Sequence, residues 1–269
     1  MKHRAKRIWN RVKKGWEYKP EEYYHRVMAM VNPNKELKWK EFLHLKIRVL
    51  HALNHAEIAR IYTSGQQNVL KEFGVKGVTS AKRNTWENPN TYLFLAEDAI
   101  TGEIGAGMRL DVADMIYTLP LEDALKNIVP DLSKRIHKFD NTIAEACGWW
   151  VKKEFSERRI PKHLLVSAIA VAPKLRINVM LGFPHQITKK ITDSLGFESV
   201  RNLGDNNASF YYPNEQYLST VVELDTVTLK TMPEEEKSKV LLLRQNPIQT
   251  ILVEVGGYKT RFDFDLRLL

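Results

Sequence analysis

One cysteine in 269 residues, Cys147, excludes an internal disulfide, so the fold must rest on core burial and a reducing, cytoplasmic setting is expected. No run of about 18 or more apolar residues occurs, and no transmembrane helix is expected. The basic start of the chain lacks the apolar stretch and small-residue cleavage site of a secretory signal, so none is expected there. Acid is missing from residues 1–16, which hold seven Lys and Arg. Those seven supply most of the net charge of +9, leaving the rest of the chain near balance. No helix-turn-helix, zinc or RNA-binding signature is found, and nucleic acid is not an expected partner. His51 and His55 have helical metal-ligand spacing, but no Glu of a zincin motif and no third ligand accompany them, so no metal is expected.

What the chain does have is apolar material. Hydrophobic residues make up 43% and aromatics 10%, a level that argues against global disorder. Three regions are expected. Residues 1–40 read as a basic helical extension, in which Ile8, Trp9, Val12 and Trp16 recur at helical spacing. That stripe suits a helix lying on an anionic membrane or acidic protein, and equally one packed on its own domain by its tryptophans. Pro20, followed by Glu21 and Glu22, opens a second helix. Residues 41–229 form the main domain, and residues 230–269 add a helix and a β-hairpin. The hairpin has the plainest pattern: after Gly256–Gly257, Tyr258, Thr260, Phe262, Phe264 and Leu266 alternate with charged residues.

Within the main domain the expected order begins with a strand in HLKIRVLHA and a helix in AEIARIYTSGQQNVLKEFGV, ended by Gly74. Two strands follow around a turn at Thr101–Gly102, then a helical stretch broken at Pro130. Residues 141–200 carry the chemistry. In NTIAEACGWWVKKEF, Glu145 is the only acid in the apolar core of the strand, and alternation puts Glu145, Cys147, Trp149 and Val151 on one face. Glu145 is read as a general base or water-orienting group, or else as a strand-end carboxylate paired with an arginine such as Arg109. The loop SERRIPKH places Arg158, Arg159, Lys162 and His163 at the start of the helix PKHLLVSAIAVA. Backbone N–H groups and the helix dipole there point the same way, a natural seat for an anion. His185, after the buried strand INVMLGF, either assists proton transfer or opens the next helix. Trp149, Met108 and Met180 stand on strands around the proposed cleft, as an acyl wall or as filled core. Cys147 reads as a small buried residue in preference to an acyl-accepting thiol.

This order of elements, closed by the tag SLGF, resembles the Gcn5-related N-acyltransferase (GNAT) superfamily over about residues 41–229. GEIGAGMRLDVADMIYTLPLED followed by IAEACGWWVKKEF is most similar to the acyl-homoserine-lactone synthases and long-chain N-acyl amino acid synthases. Arg109 and Glu145 fall on the matching positions. The resemblance implies a mixed α/β (α+β) fold whose central sheet, flanked by helices, splays between two parallel strands to admit a thioester. It implies an N-acyltransferase that moves an acyl group to a small-molecule amine. The donor would be a coenzyme A thioester (acetyl-CoA or a longer acyl-CoA) or the phosphopantetheine of an acyl carrier protein. On that reading Glu145 and His185 are catalytic, and Val151, Lys153, Arg158, Arg159, Lys162 and His163 hold the cofactor. Arg109, Met108, Trp149 and Met180 contact substrate.

Three positions depart from the family pattern. RRIPKH has arginines but no glycine, so the pyrophosphate would depend on side-chain charge. The tyrosine often found four residues before the glycine of the GF tag is Thr192, and Glu145 is followed by Ala-Cys in place of Ser-Arg. A non-catalytic acyl-CoA-binding or regulatory module is the alternative these departures suggest. A membrane- or nucleic-acid-surface adaptor using residues 1–16 is a third.

Overall fold

The computed structural model describes residues 42–268 apart from 115, 137–141, 202 and 205–206. The two helices expected in residues 1–40, and membrane contact through residues 1–16, lie outside the described residues. Strand β1 (Phe42–His51) turns Leu45, Ile47 and Val49 inward, with Lys46 exposed between them. Helix α1 (Ala56–Glu72) buries the stripe Ala59, Tyr62, Thr63 and Gln66, one face of a 3.6-residue period. Strands β2 (Thr91–Asp98) and β3 (Ile104–Val112) are buried along nearly their whole length, as expected of strands covered on both faces. The stretch interrupted at Pro130 forms two short helices, α2 (Pro120–Leu125) and α3 (Leu132–Ile136).

Strand β4 (Thr142–Val151) leads through a turn into α4 (Ile160–Val171), then β5 (Ile177–Gly182) and α5 (Gln186–Asp193). Short strands β6 (Glu198–Ser199), β7 (Ser209–Tyr211), β8 (Leu218–Thr220) and β9 (Val222–Asp225) follow, then α6 (Glu234–Gln245), β10 (Ile248–Val255) and β11 (Tyr258–Asp265). The strand expected in YLSTVVELDTVTL is therefore two: β8 pairs with β7 in a small separate sheet, and β9 pairs with β5 and β6.

The main sheet has nine strands in the order β10-β11-β1-β2-β3-β4-β5-β9-β6. Two of its pairings are parallel, β1 with β11 and β4 with β5. The C-terminal hairpin is thus part of the central sheet and not an addition laid upon it. Helix α1 packs on one face with Leu93, Leu95 and Trp150, and α4 on the other with Ile47, Phe94 and Met108. Helix α4 is apolar all round, the mark of a helix covered on both sides; α6 lies against its outer side. The glycine of SLGF has a local reason. Gly196 has φ +80°, and a Cβ there would stand 2.4 Å from the Thr231 carbonyl oxygen.

Candidate active site

Strands β4 and β5 pair only from Thr142 with Ile177 to Glu145 with Leu181. Beyond that point β5 ends at Gly182 while β4 continues to Val151, so the sheet opens. A cavity of about 230 Å³ fills the opening. Its walls include Glu145, Cys147, Gly148 and Trp149 from β4, and Phe183 and His185 across the gap. Gln66, Val78 and Thr79 close it on the α1 side, and Leu165, Thr192 and Phe197 on the α4 side. It therefore passes through the plane of the sheet.

A bulge shapes its β4 wall. Arg109 faces Cys147 and Gly107 faces Trp150, so one extra residue lies on β4 between those pairs. Gly148 takes φ +64°, as a bulge with a left-handed first residue requires. The Tyr62 hydroxyl donates to the Gly148 carbonyl at 2.6 Å and pins it. The bulge corrects the alternation expected from the sequence. Trp150 packs toward Tyr62, ring centroids 6.1 Å apart, on the α1 face with Glu145 and Cys147. Trp149 and Val151 turn to the α4 face and pack on the main core. Trp149 still borders the cavity.

Glu145 is 3% exposed, and its Oε2 accepts the Leu121 N–H at 2.8 Å. Burial drives its pKa up to about 8, outweighing the Leu121 amide; the Asp111 charge adds to the rise. The expected structural partner, Arg109, is engaged elsewhere. Its Nε lies 3.0 Å from Asp111 Oδ2 and donates to Cys147 Sγ at 3.4 Å. Arg109 borders a second cavity, of about 310 Å³, with Lys82, Arg83 and Asp111. Burial raises the Cys147 thiol well above its usual range, and the Asp111 charge adds to this. Met108 and Met180 are fully buried in the core and border none of the described cavities, which corrects their assignment to an acyl wall. Both point to the α4 face, where apolar residues are filled core.

His185 caps α5, its Nδ1 accepting the Ile187 N–H at 3.3 Å, and its ring stands edge-on to Tyr217 at 6.0 Å. The expected helix start is what the structure shows, and the ring also borders the cavity. Burial lowers its pKa, so the ring is neutral at pH 7.

The cationic loop is arranged differently from expectation. Arg158 donates to the Lys259 carbonyl at 3.3 Å and to Thr260 Oγ1 at 3.2 Å, and lies 4.7 Å over the Tyr258 ring. Lys162 pairs with Glu236 at 3.1 Å. His163 stacks on Phe262 at 4.3 Å, and burial with the Lys162 charge pushes it down to about 4. The N–H groups of Lys162 and His163 bond the Arg159 carbonyl, and Pro161 has none to offer. The C-terminal segment thus takes up three of the five Lys, Arg and His residues expected at the cofactor, leaving Arg159, which is exposed at the helix N-cap, and exposed Lys153. Arg158→Ala should accordingly lower stability by about 1–2 kcal/mol through lost hydrogen bonds and ring contact. Arg159→Ala should stay within about 0.5 kcal/mol. Urea unfolding of the two variants checks this; equal effects would mean that the hairpin does not depend on Arg158.

Sequence reasoning missed Tyr212, Thr79 and Gln66. They come from α1, the polar connection after it and the β7–β8 hairpin, where no periodicity marks a site residue. No protein-family model matches the chain, and no curated protein matches it. Among solved structures it is similar to FeeM, an N-acyl amino acid synthase from uncultured soil microbes. The identity is 13%, the match covers 72% of this chain and 97% of that one, and the TM-score is 0.52. It is also similar to BjaI, a CoA-dependent acyl-homoserine lactone synthase solved with SAM and isopentyl-CoA, at 11% identity, 73% and 89% coverage and a TM-score of 0.52. Nine strands open between β4 and β5, with helices on both faces, make this the GNAT-type fold in the form shared with N-acyl amino acid and acyl-homoserine lactone synthases.

Proposed function

We propose that the protein is an N-acyltransferase that moves an acyl group from a thioester to an amine. The observation that carries the reading is Glu145: a buried carboxyl on the wall of a cavity that opens between two parallel strands. An amine must be neutral to attack a thioester, and the ionised carboxylate removes its proton. Past Glu145 the β4 edge has no strand partner on the β5 side among the described residues, which leaves its backbone N–H groups for the thioester and the developing oxyanion. The donor is a coenzyme A thioester; the likeness to BjaI, a CoA-dependent enzyme solved with isopentyl-CoA, supports that choice. The pyrophosphate end rests on Arg159 and Lys153, since the other loop cations are held by the C-terminal segment.

The acyl group is longer than acetyl. Trp149, Leu165, Phe183 and Phe197 give the cavity an apolar lining around Glu145. Each buried CH₂ contributes roughly 0.8 kcal/mol, about a fourfold gain in affinity, until the space is full. Competition of C2 to C16 acyl-CoAs for one site should show affinity climbing with length and then levelling. A flat or falling series removes the longer-chain assignment. Transfer to an amine panel separates this enzyme from an acyl-CoA-binding module without turnover, which would bind the same series and release no free thiol.

A further inference from the structure

Transfer from a thioester leaves a thiolate, and the departing sulfur needs a proton. Thr192, where the family often places a tyrosine, is an aliphatic alcohol and a far weaker acid than a phenol, and its hydroxyl donates to the Lys189 carbonyl at 2.8 Å. Thr188 and Ser219 are engaged in the same way, with the His185 and Tyr212 carbonyls. Cys147 is tied to Arg109 and Asp111.

Resting on the acyl-transfer reading, we propose that Tyr212 is the proton donor to the leaving thiolate. Its ring packs 5.2 Å from Phe183, where β5 has ended, and it borders the same cavity as Glu145. Its hydroxyl meets Thr79 twice. The phenol oxygen accepts the Thr79 N–H; with the Thr79 hydroxyl proton on the Pro120 carbonyl at 2.9 Å, the phenol donates to Thr79 Oγ1 at 2.7 Å, a bond it gives up when it protonates the sulfur. A phenolate formed there keeps the backbone donor and gains a second when the Thr79 hydroxyl turns toward it. Donors already aimed at developing charge lower a barrier without reorganisation. Burial holds Tyr212 protonated at neutral pH, so the proton is present when needed. The base is set by the neighbouring residue: Pro120 anchors Thr79, and Leu121 anchors Glu145. One dipeptide on the α2 turn therefore positions both proton-handling groups.

The step balances. The amine nitrogen forms the C–N bond and yields its proton to Glu145. The C–S bond breaks with its electron pair on sulfur, and sulfur takes the Tyr212 proton. Glu145 and Tyr212 are restored by proton exchange through water, giving an amide and a thiol.

Tyr212→Phe keeps the ring on Phe183 and removes only the hydroxyl. Transfer from acyl-CoA should lose kcat by about 10²-fold or more with KM within about threefold. An S-aryl thioester of the same acyl chain leaves as a stable anion, and with it the loss should shrink to a few-fold. Thr79→Val should show the same donor-dependent pattern at smaller size. Equal losses on both donors, a change in KM alone, or no loss would overturn the proposal. Should the wild type turn over only the coenzyme A donor, the kcat–KM split decides. A wild type that transfers from neither donor would remove the acyl-transfer reading itself, and this step with it.

Discussion

Glu145→Gln should lower transfer by about 10²–10⁴-fold and at the same time make the folded protein more stable at pH 8. The glutamine keeps an oxygen for the Leu121 N–H but cannot take a proton from the amine. In the wild type kcat/KM should rise about tenfold per pH unit below pH 8 and level above it, as the Glu145 carboxyl ionises; the variant should lack that limb. The stability effect has a definite sign. Below about pH 4.5 the carboxyl is protonated in both folded and unfolded chains, and the two proteins differ little. As pH climbs toward 8 the unfolded chain ionises while the folded one holds its proton, so the wild type loses up to about 4 kcal/mol that the variant retains. Urea unfolding at pH 5 and pH 8 measures it. A variant less stable than the wild type at pH 8 would make Glu145 a structural residue.

Gly148→Ala should cost about 2–4 kcal/mol and remove most activity. The left-handed φ of +64° costs an alanine about 1 kcal/mol. Its Cβ would also stand 2.3 Å from the Tyr62 hydroxyl oxygen, displacing a buried donor from the Gly148 carbonyl. If the ladder responds by closing the bulge, Trp149 and Trp150 exchange faces and the cavity wall is lost. Tyr62→Phe removes the obstructing oxygen, so the double variant should recover part of the stability that the alanine costs. Additive losses would place the damage in the backbone conformation alone.

Much of the architecture was legible because periodicity survives in the sequence. The alternation from Tyr258 to Asp265 marks β11, the apolar run from Leu164 to Val171 marks the covered helix α4, and Pro130 divides α2 from α3. Glu145 stood out as an isolated acid in an apolar strand, and the structure puts it on the cavity wall. Other parts were hidden for physical reasons. A bulge adds one residue without changing composition, so the faces of Trp149 and Trp150 could not be read from alternation. The loop from Arg158 to His163 shows its charge in the sequence but not the arrival of Glu236, Tyr258 and Phe262 from far along the chain. Tyr212 and Thr79 meet across 133 residues in segments with no pattern of their own.

The parallel pairing of β1 with β11 bears on how the chain is made. His44 and Asp263, joined at 2.6 Å, are 219 residues apart, so the first strand of the described fold finds its outer neighbour only when the last has been synthesised. Contacts of such separation close slowly, and an unfilled strand edge is exposed to other chains in the meantime. On the ribosome β1 can take up β2 early but must hold its other edge open through the translation of α4, α5 and α6. The same α4 that borders the cavity packs on β11 through Phe262 stacking on His163, so the cavity half cannot mature before β11 is made. A nascent chain arrested before residue 248 should be bound by holdase chaperones and degraded, while one released after β11 should escape both.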